Sequence, residues 1–381
     1  MRRGQIGIIG GGIGGIATAL ALHQIGVPVI VYERAACLRE IGAGMMLWPN
    51  ATRVLRDLGL LEQMVARSGP NTHFLVRSAS GRILMNIALG KFDVPAVCIR
   101  RTDLLAILLR ALPSECVRLG YELDHLKQAR GKVQIYFKNG TTEEHAAVVG
   151  ADGSRSRVRS ELFGASDPVY RGYAIWRGLV RYTGRATMPG YNSETWGNGK
   201  RFGILNTGHG DFTWYATANV PKDHGDGPRG RKKELQEMFA GWHEPVADFL
   251  EATEESGILK HGARDRPPLP RWGIGRVTLL GDAAHPCTPN LGQGGCMALE
   301  DAFVLARCVE REPTLVRVLR RYEFLRRKRT RHMQQRSQLM GRIGQLEHPL
   351  IVRGRRVVTR LLPARIFEYN LRRIYAYGIP G

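Results

Sequence analysis

Six residues, Gly10-Gly11-Gly12-Ile13-Gly14-Gly15, constrain the fold of this chain more than any other stretch, because of what flanks them. Gln5-Ile6-Gly7-Ile8-Ile9 precedes them as a short buried strand. Ile16 to Leu22 follows as a helix of small and apolar residues, and Val29-Ile30-Val31-Tyr32-Glu33 reads as a second strand. Strand, glycine turn, helix and strand within about thirty residues make a βαβ unit, which implies a parallel sheet. The run fills G-x-G-x-x-G through Gly10, Gly12 and Gly15, with Gly14 beside it. Glycines so placed permit the tight turn, let backbone N–H groups approach a pyrophosphate, and let the helix pack on the strand. The helix N-terminus then adds partial positive charge. Glu33 ends the second strand where a carboxylate accepts hydrogen bonds from ribose hydroxyls and repels a 2′-phosphate, so FAD and NAD fit here and NADP does not. The plain alternative is an incidental glycine turn, and the flanking strand, helix and Glu33 speak against it.

Further along, helices are expected over 51–58 and 102–112 and a strand over 117–125. Segments 133–137 and 143–149 flank Lys138-Asn139-Gly140 as a hairpin. The texture changes near Pro168. Segments 170–182, 193–196, 201–206 and 212–220 are rich in aromatic and β-branched residues, which predicts an antiparallel sheet with one face free to cover a ligand. A helical stretch follows over 232–251, interrupted at Pro245. Pro267-Pro268-Leu269-Pro270 closes the insert, and 276–280 returns to buried-strand character. The expected architecture is α/β, with two parts. Residues 1–165 and 276–381 form a discontinuous dinucleotide-binding domain with C-terminal helices, and 166–275 form an antiparallel-sheet substrate domain.

Two more segments choose between FAD and NAD. Val149-Gly150-Ala151-Asp152-Gly153-Ser154-Arg155 resembles the Asp-Gly motif of the FAD-dependent aromatic hydroxylases, the group A flavoprotein monooxygenases. Leu280-Gly281-Asp282-Ala283-Ala284-His285-Pro286, continuing through Gly292-Gln293-Gly294-Gly295-Cys296, resembles their Gly-Asp motif. Gly42-Ala43-Gly44, Trp48-Pro49-Asn50-Ala51, Arg101-Thr102-Asp103-Leu104 and Tyr173 to Gly178 add to the likeness, which runs over essentially the whole chain. The resemblance implies a Rossmann-like, glutathione-reductase-type domain holding FAD. NAD(P)H is then a transient co-substrate, and one atom of O2 reaches an aromatic or polycyclic substrate through a flavin C4a-hydroperoxide. It assigns Asp282 to a ribityl hydroxyl, Arg101 to the FAD, and Asp152 to organising the flavin and nicotinamide sites. The turn Gly292-Gln293-Gly294-Gly295 opens a helix whose N–H groups would face the flavin pyrimidine ring. By position, Arg34, Gly44, Met46, Leu126 and Cys296 also belong beside the cofactor. Only one dinucleotide fingerprint occurs and no C-x-x-x-x-C pair, unlike a two-site reductase.

The substrate pocket is expected between flavin and sheet, lined by Leu47, Trp176, Arg201, Ile204, Asn206, Trp214, Tyr215, Thr288, Pro289 and Asn290. Arg201, Tyr215, Pro289 and Asn290 are the candidates nearest the chemistry. Alternation lets only one of Trp214 and Tyr215 point inward. Bacterial urate hydroxylases resemble this chain around Trp48-Pro49-Asn50 and Gly199-Lys200-Arg201. In them an arginine matching Arg201 binds substrate, and an aspartate stands where this chain has Asn290. That departure counts against urate, since asparagine cannot balance the arginine, and a phenolate or another planar, partly anionic heterocycle fits as well. His209 reads as a hairpin tip and His285 as a packing or hydrogen-bonding residue.

The net charge of +22 is concentrated toward the C-terminus: between Arg317 and Arg373 lie sixteen Arg and one Lys against three Glu. No nucleic-acid motif accompanies them. Arg317, Arg320, Arg321, Arg327, Lys328 and Arg331 interleave with Leu319, Tyr322 and Leu325 as on a helix with one apolar stripe. Such a face is either solvated, with the stripe packed inward, or a peripheral contact for anionic lipid. The six cysteines have no metal-ligand spacing and suit a reducing, cytoplasmic compartment. The glycine-patterned run after Met1-Arg2-Arg3 does not read as a signal peptide. A monomer or homodimer fits. The rival functions are a flavin-dependent halogenase, disfavoured by the missing Trp-x-Trp-x-Ile-Pro-like segment, and a flavin-binding partner protein without catalysis.

Overall fold

The computed structural model describes residues 4–38, 43–89, 92–184, 186–361 and 364–375; Met1-Arg2-Arg3 and Gly42 lie outside them. The expected βαβ unit is present. Strands Ile6–Ile9 and Val29–Glu33 pair in parallel around the helix Ile13–Gln24. They belong to a five-stranded parallel sheet in the order Val277–Leu279, Ala147–Gly150, Ile6–Ile9, Val29–Glu33, Val117–Leu119. Ile6–Ile9, Ala147–Gly150 and Val277–Leu279 are buried throughout, as a parallel sheet covered on both faces requires. Val277–Leu279 joins the sheet about 130 residues after its neighbour Ala147–Gly150, so the segment between them is an insert.

The strand expected over 117–125 is two strands, Val117–Leu119 and Leu123–Ala129, broken where Gly120 takes φ +77°. The hairpin around Lys138-Asn139-Gly140 pairs Lys132–Phe137 with Thr142–His145, and Ala147–Gly150 then leaves it for the parallel sheet.

A seven-stranded sheet forms the second layer, in the order Leu259–Asp265, Val169–Arg181, Asp211–Asn219, Lys200–Gly208, Tyr191–Trp196, His73–Ser78, Ile83–Ala88. Its last two strands come from the segment expected to belong with the dinucleotide unit, and they attach through a parallel pairing of Tyr191–Trp196 with His73–Ser78. Period-two alternation divides this sheet's side chains. Trp176, Phe202, Ile204, Phe212 and Trp214 form a separate core with Leu235, Phe239 and Phe249 of the helices behind the sheet. Residues of opposite parity, including Ile175, Arg177, Arg201, Leu205 and Tyr215, face a cavity.

The helix Leu315–Gly344 lays Leu319 and Tyr322 into the main core, so the apolar stripe of this basic segment packs inward. Arg326, in the same helix, is fully buried against Glu300 and Asp301. Helices Pro349–Leu361 and Ala364–Tyr375 follow, and both contact the strand Ile83–Ala88 beside the cavity. Among the described residues no helix is long and apolar enough to cross a membrane.

Candidate functional site

The glycine loop joins Ile6–Ile9 to Ile13–Gln24 at van der Waals closeness. Gly10 has φ +110°, and a Cβ there would lie 2.5 Å from the Ala151 carbonyl oxygen. A Cβ on Gly15 would stand 1.9 Å from the carbonyl oxygen of Gly10, and one on Gly14 would meet Leu280 and Ala298. Gly12 differs: a Cβ there meets nothing within 4 Å. Three of these glycines therefore serve packing, while Gly12 fronts open space at a helix N-terminus, where the first N–H groups lack helical partners. Glu33 is tied into the loop, its carboxylate accepting from Gly11 N (2.7 Å) and Ala35 N (2.9 Å). Arg34 beside it is exposed, and Leu126 is half-buried on Leu123–Ala129.

Asp152 accepts through Oδ2 from the backbone N–H of Arg157 (2.6 Å) and Val158 (3.1 Å), at the start of Arg157–Phe163. Its Oδ1 is buried without a hydrogen-bond partner, and burial raises the carboxyl pKa despite those donors. A buried acceptor left unmade is costly, so this oxygen is a place for a ligand donor. Asp282 stands on the cavity wall, accessible to the cavity yet enclosed by protein. That enclosure raises its pKa, with His285 and Arg101 opposing. The helix Gly294–Arg311 begins beside it, Asp282 Oδ1 being the nearest atom to a Cβ built on Gly294 (3.7 Å). Gly44, Met46, Arg101, Gly292, Gly294 and Gly295 line the same cavity. Gln293 and Cys296 are buried behind it, the first accepting from Asn50 and the second bonding the carbonyls of Met46 and Gly292. The open cradle at Gly12, the unpaired oxygen of Asp152 and the helix terminus at Gly294 fit FAD. Asp301 anchors this loop, accepting from Gly281 N (3.0 Å), His285 Nε2 (2.6 Å) and Arg326 Nε (2.6 Å). His285 is thus a structural residue, and His209 is an exposed turn residue with φ +57°.

The cavity measures about 1140 Å³. Of the expected lining residues, Arg201, Tyr215, Pro289 and Asn290 meet there. Trp176, Ile204 and Trp214 do not. Their parity sends them to the opposite face, where Trp214 Nε1 donates to Thr253 Oγ1 (2.8 Å). Leu47 lies in the main core, Thr288 is buried against Ser337, and Asn206 bonds within its own turn through Gly208 N and to Asn192. These three therefore support the wall without forming it.

The polar centre of the cavity is Glu194, which the sequence did not single out. Its carboxylate accepts from Arg201 Nη1 (3.0 Å), Tyr215 Oη (3.0 Å) and Trp196 Nε1 (2.7 Å). Arg201 is almost wholly buried and also donates to Gln345 Oε1 (2.8 Å) and Asn290 Oδ1 (2.7 Å). Burial, reinforced by the Glu194 charge, holds the Tyr215 phenol well above its ordinary pKa. Asn290 Nδ2 donates in turn to Thr288 Oγ1 and the Ser337 carbonyl. The available signal was register: Trp196 pairs with Arg201 across the sheet, which puts Glu194 on the same face one pair along. Arg177 was also passed over as a wall residue. Burial, then Arg101, lowers its pKa to about 10, and no carboxylate pairs with it among the described residues. Most of the remaining wall is apolar, with Phe74, Val76, Met85 and Ile87 from the sheet and Ile343, Leu371 and Ile374 from the C-terminal helices. Among the described residues no cluster of His, Cys, Asp and Glu could hold a metal ion.

Comparison with known proteins agrees with this geometry. The family described as FAD binding domain matches residues 3–337. Aurachin C monooxygenase/isomerase of Stigmatella aurantiaca is 35% identical over 370 residues, covering 96% of each chain. The 6-hydroxynicotinate 3-monooxygenase of Pseudomonas fluorescens is 34% identical over 80% of this chain and 82% of its own. Among solved structures, Klebsiella pneumoniae HpxO complexed with FAD and uric acid superposes with a TM-score of 0.93 at 27% identity, over 99% of this chain and 98% of that one.

Proposed function

The chain belongs to the FAD-binding-domain family of flavoprotein monooxygenases, and from that premise we propose that it oxygenates an aromatic substrate that is uncharged at its polar edge and carries a sizeable apolar body. The overall reaction is NAD(P)H, a proton, O2 and substrate giving hydroxylated or epoxidised product, NAD(P)+ and water. FAD, reduced by the nicotinamide, supplies the activated oxygen. The protein's residues bind and orient. Gly12 and the N-terminus of Ile13–Gln24 would receive the pyrophosphate, and Asp282 a ribityl hydroxyl. The N–H groups opening Gly294–Arg311 would stabilise negative charge on the reduced ring. The C-terminal helices close the cavity and keep water from the reacting centre.

The observation that carries the substrate class is the Glu194–Arg201 pair. Three of the guanidinium's donors are engaged by Glu194, Gln345 and Asn290, and its charge is balanced. A carboxylate or phenolate entering here would meet Glu194 as well as Arg201. The Glu194–Arg201 end of the cavity therefore favours a neutral hydroxyl, carbonyl or ring nitrogen, while the apolar wall from Phe74 to Ile87 takes the rest of the molecule. Urate, small and polar, would leave that wall uncovered. The test is substrate-stimulated NAD(P)H oxidation with product analysis, comparing neutral fused-ring heteroaromatics bearing an alkyl chain with single-ring carboxylates. Coupled hydroxylation of the first group supports the reading; coupled turnover confined to the single-ring carboxylates overturns it.

A further inference from the structure

The helix Pro349–Leu361 is amphipathic in an inverted sense. Its inward positions are Val352, Arg355 and Thr359, at one to seven per cent exposure, and two of the three are polar. Arg355 is held there by the carbonyls of Gly197, Ile343 and Gly344 and lies over the Trp196 ring at 5.1 Å. The outward positions are apolar. Leu350, Ile351, Val357, Val358 and Leu361 are 51–74% exposed, and their spacing of three, four and seven places them in one stripe with Gly354. Arg353, Arg356 and Arg360, again three and four apart, form a third stripe on the flank of the apolar one, and the helix carries no Asp or Glu. A monomeric protein rarely presents so contiguous an apolar patch to water without a use for it.

We propose that this outer face docks on an anionic lipid bilayer, with the apolar stripe entering the interface and the arginine stripe meeting the headgroups. Apolar and cationic stripes side by side on one helix are the pattern that lies in a membrane surface plane. The charge argues for this occupant over a second copy of the chain. An antiparallel two-fold pairing of two such helices would bring arginine stripe toward arginine stripe, and a parallel one would leave the arginines without counter-charges on a helix that carries no Asp or Glu, whereas an anionic bilayer complements them. The surrounding chain is also basic, at +14 between Arg317 and Arg373. The surface differs from the stripe of Leu315–Gly344, which packs inward. It also borders the cavity, since Val358 and Thr359 line it together with Leu339 of the preceding helix. Docking would turn the mouth of an apolar cavity toward the phase where a lipophilic substrate is most concentrated.

The test uses the FAD-loaded enzyme and vesicles, with no substrate, so its outcome is independent of the substrate class proposed above. The enzyme should co-sediment with mixed phosphatidylglycerol–phosphatidylcholine vesicles at physiological salt, and much less with pure phosphatidylcholine. Leu350→Gln/Val357→Gln/Leu361→Gln, none of which lines the cavity, should keep the flavin spectrum and lower the partition coefficient about tenfold or more. Arg353→Gln/Arg360→Gln should weaken binding and flatten its salt dependence. As a readout that does not rely on loss, the emission that Val357→Trp adds to that of the six native tryptophans should shift to the blue on anionic vesicles and be quenched by brominated acyl chains. Absence of sedimentation with the anionic vesicles overturns the proposal. So does an unshifted Val357→Trp emission, or a concentration-dependent dimer in light scattering that the triple substitution dissolves while vesicle binding is absent.

Discussion

Replacing Glu194 by Gln keeps the shape of the cavity wall and removes its anion. The carboxylate now accepts from the charged donor of Arg201 and from the neutral donors of Tyr215 and Trp196. The amide oxygen can still accept from Arg201 and Tyr215, but the NH2 that replaces the second oxygen cannot accept from Trp196, and the buried guanidinium loses its counter-charge. Breaking a buried pair from one side costs about 3–5 kcal/mol when nothing replaces the partner. Retained hydrogen bonding should bring the loss of stability nearer the roughly 1.5–3 kcal/mol of one bond to a charged group. The larger consequence is for selectivity. An anion held about 4 Å from the freed guanidinium gains about 4 kcal/mol at an effective dielectric near 20. Screening by the solvated mouth reduces that, and a shift of about ten- to a hundredfold in relative kcat/KM toward anionic rings is expected, since each 1.4 kcal/mol is about a factor of ten. The assay pairs a phenol-bearing neutral substrate with its carboxylated analogue, measured by hydroxylated product in wild type and Glu194→Gln. Titration of the tyrosines should also show Tyr215 ionising at lower pH in the variant, because the Glu194 charge is one of the two largest causes holding its phenol up. An unchanged preference for neutral substrate, with the variant folded and FAD bound, would refute the assignment of Glu194 as the residue that sets substrate charge.

Gly12→Val should fold, since its Cβ meets no atom, yet be isolated without yellow flavin, because the branched side chain occupies the cradle. Gly15→Ala should instead destabilise the domain by about 1–3 kcal/mol in chemical denaturation, its Cβ colliding with the Gly10 backbone; a stable flavin-free Gly15→Ala would reverse the two roles. Arg53, hydrogen-bonded to it, holds the Asp93 carboxyl down to about 2. That contribution is complete above an unfolded-state pKa near 4 and fades as pH falls through about 2. Asp93→Asn should therefore be less stable than wild type at pH 7, with the difference closing in acid; a constant gap across that window would exclude the pair as its source. Of the six cysteines only Cys37 is exposed, and burial raises the thiol pKa of Cys98, Cys116, Cys287, Cys296 and Cys308. One equivalent of a thiol reagent should react quickly at neutral pH, a second slowly at Cys287 on the cavity wall, and the other four only on unfolding.

The cofactor half of the site was legible because its demands are local. A positive φ at Gly10, a close approach at Gly15 and a helix opening at Gly294 each restrict residue type within a few positions, so the motifs show in the sequence. The substrate half was less so. Alternation separated Tyr215 from Trp214, but choosing which parity of each strand faces the cavity requires knowing what covers the other face. The helices at Gly230–Met238 and Val246–Ala252 claimed Trp176, Ile204 and Trp214. The extension of the wall by Phe74, Val76, Met85 and Ile87 depends on a parallel pairing between strands about 120 residues apart, which no turn signal announces. Arginine content was misleading in another way: Arg326 and Arg355 belong to a basic segment by count, yet both are buried and bonded to groups far from them in sequence.

The burial of Arg326 has a consequence for the order of events at synthesis. The residues that would receive FAD, from Gly10 to Gly295, have all been translated before the guanidinium that fixes Asp301, and through it Gly281 and His285, exists. A nascent chain that folds as it emerges can close its parallel sheet around Val277–Leu279 while the Gly-Asp loop still lacks its anchor. Two buried carboxylates, Glu300 and Asp301, then wait for a cation some twenty-five residues downstream. The Asp301 anchor is thereby completed only with the helix Leu315–Gly344, and a ribosome stalled ahead of Arg326 is expected to display an ordered sheet with the Gly281–His285 loop unanchored.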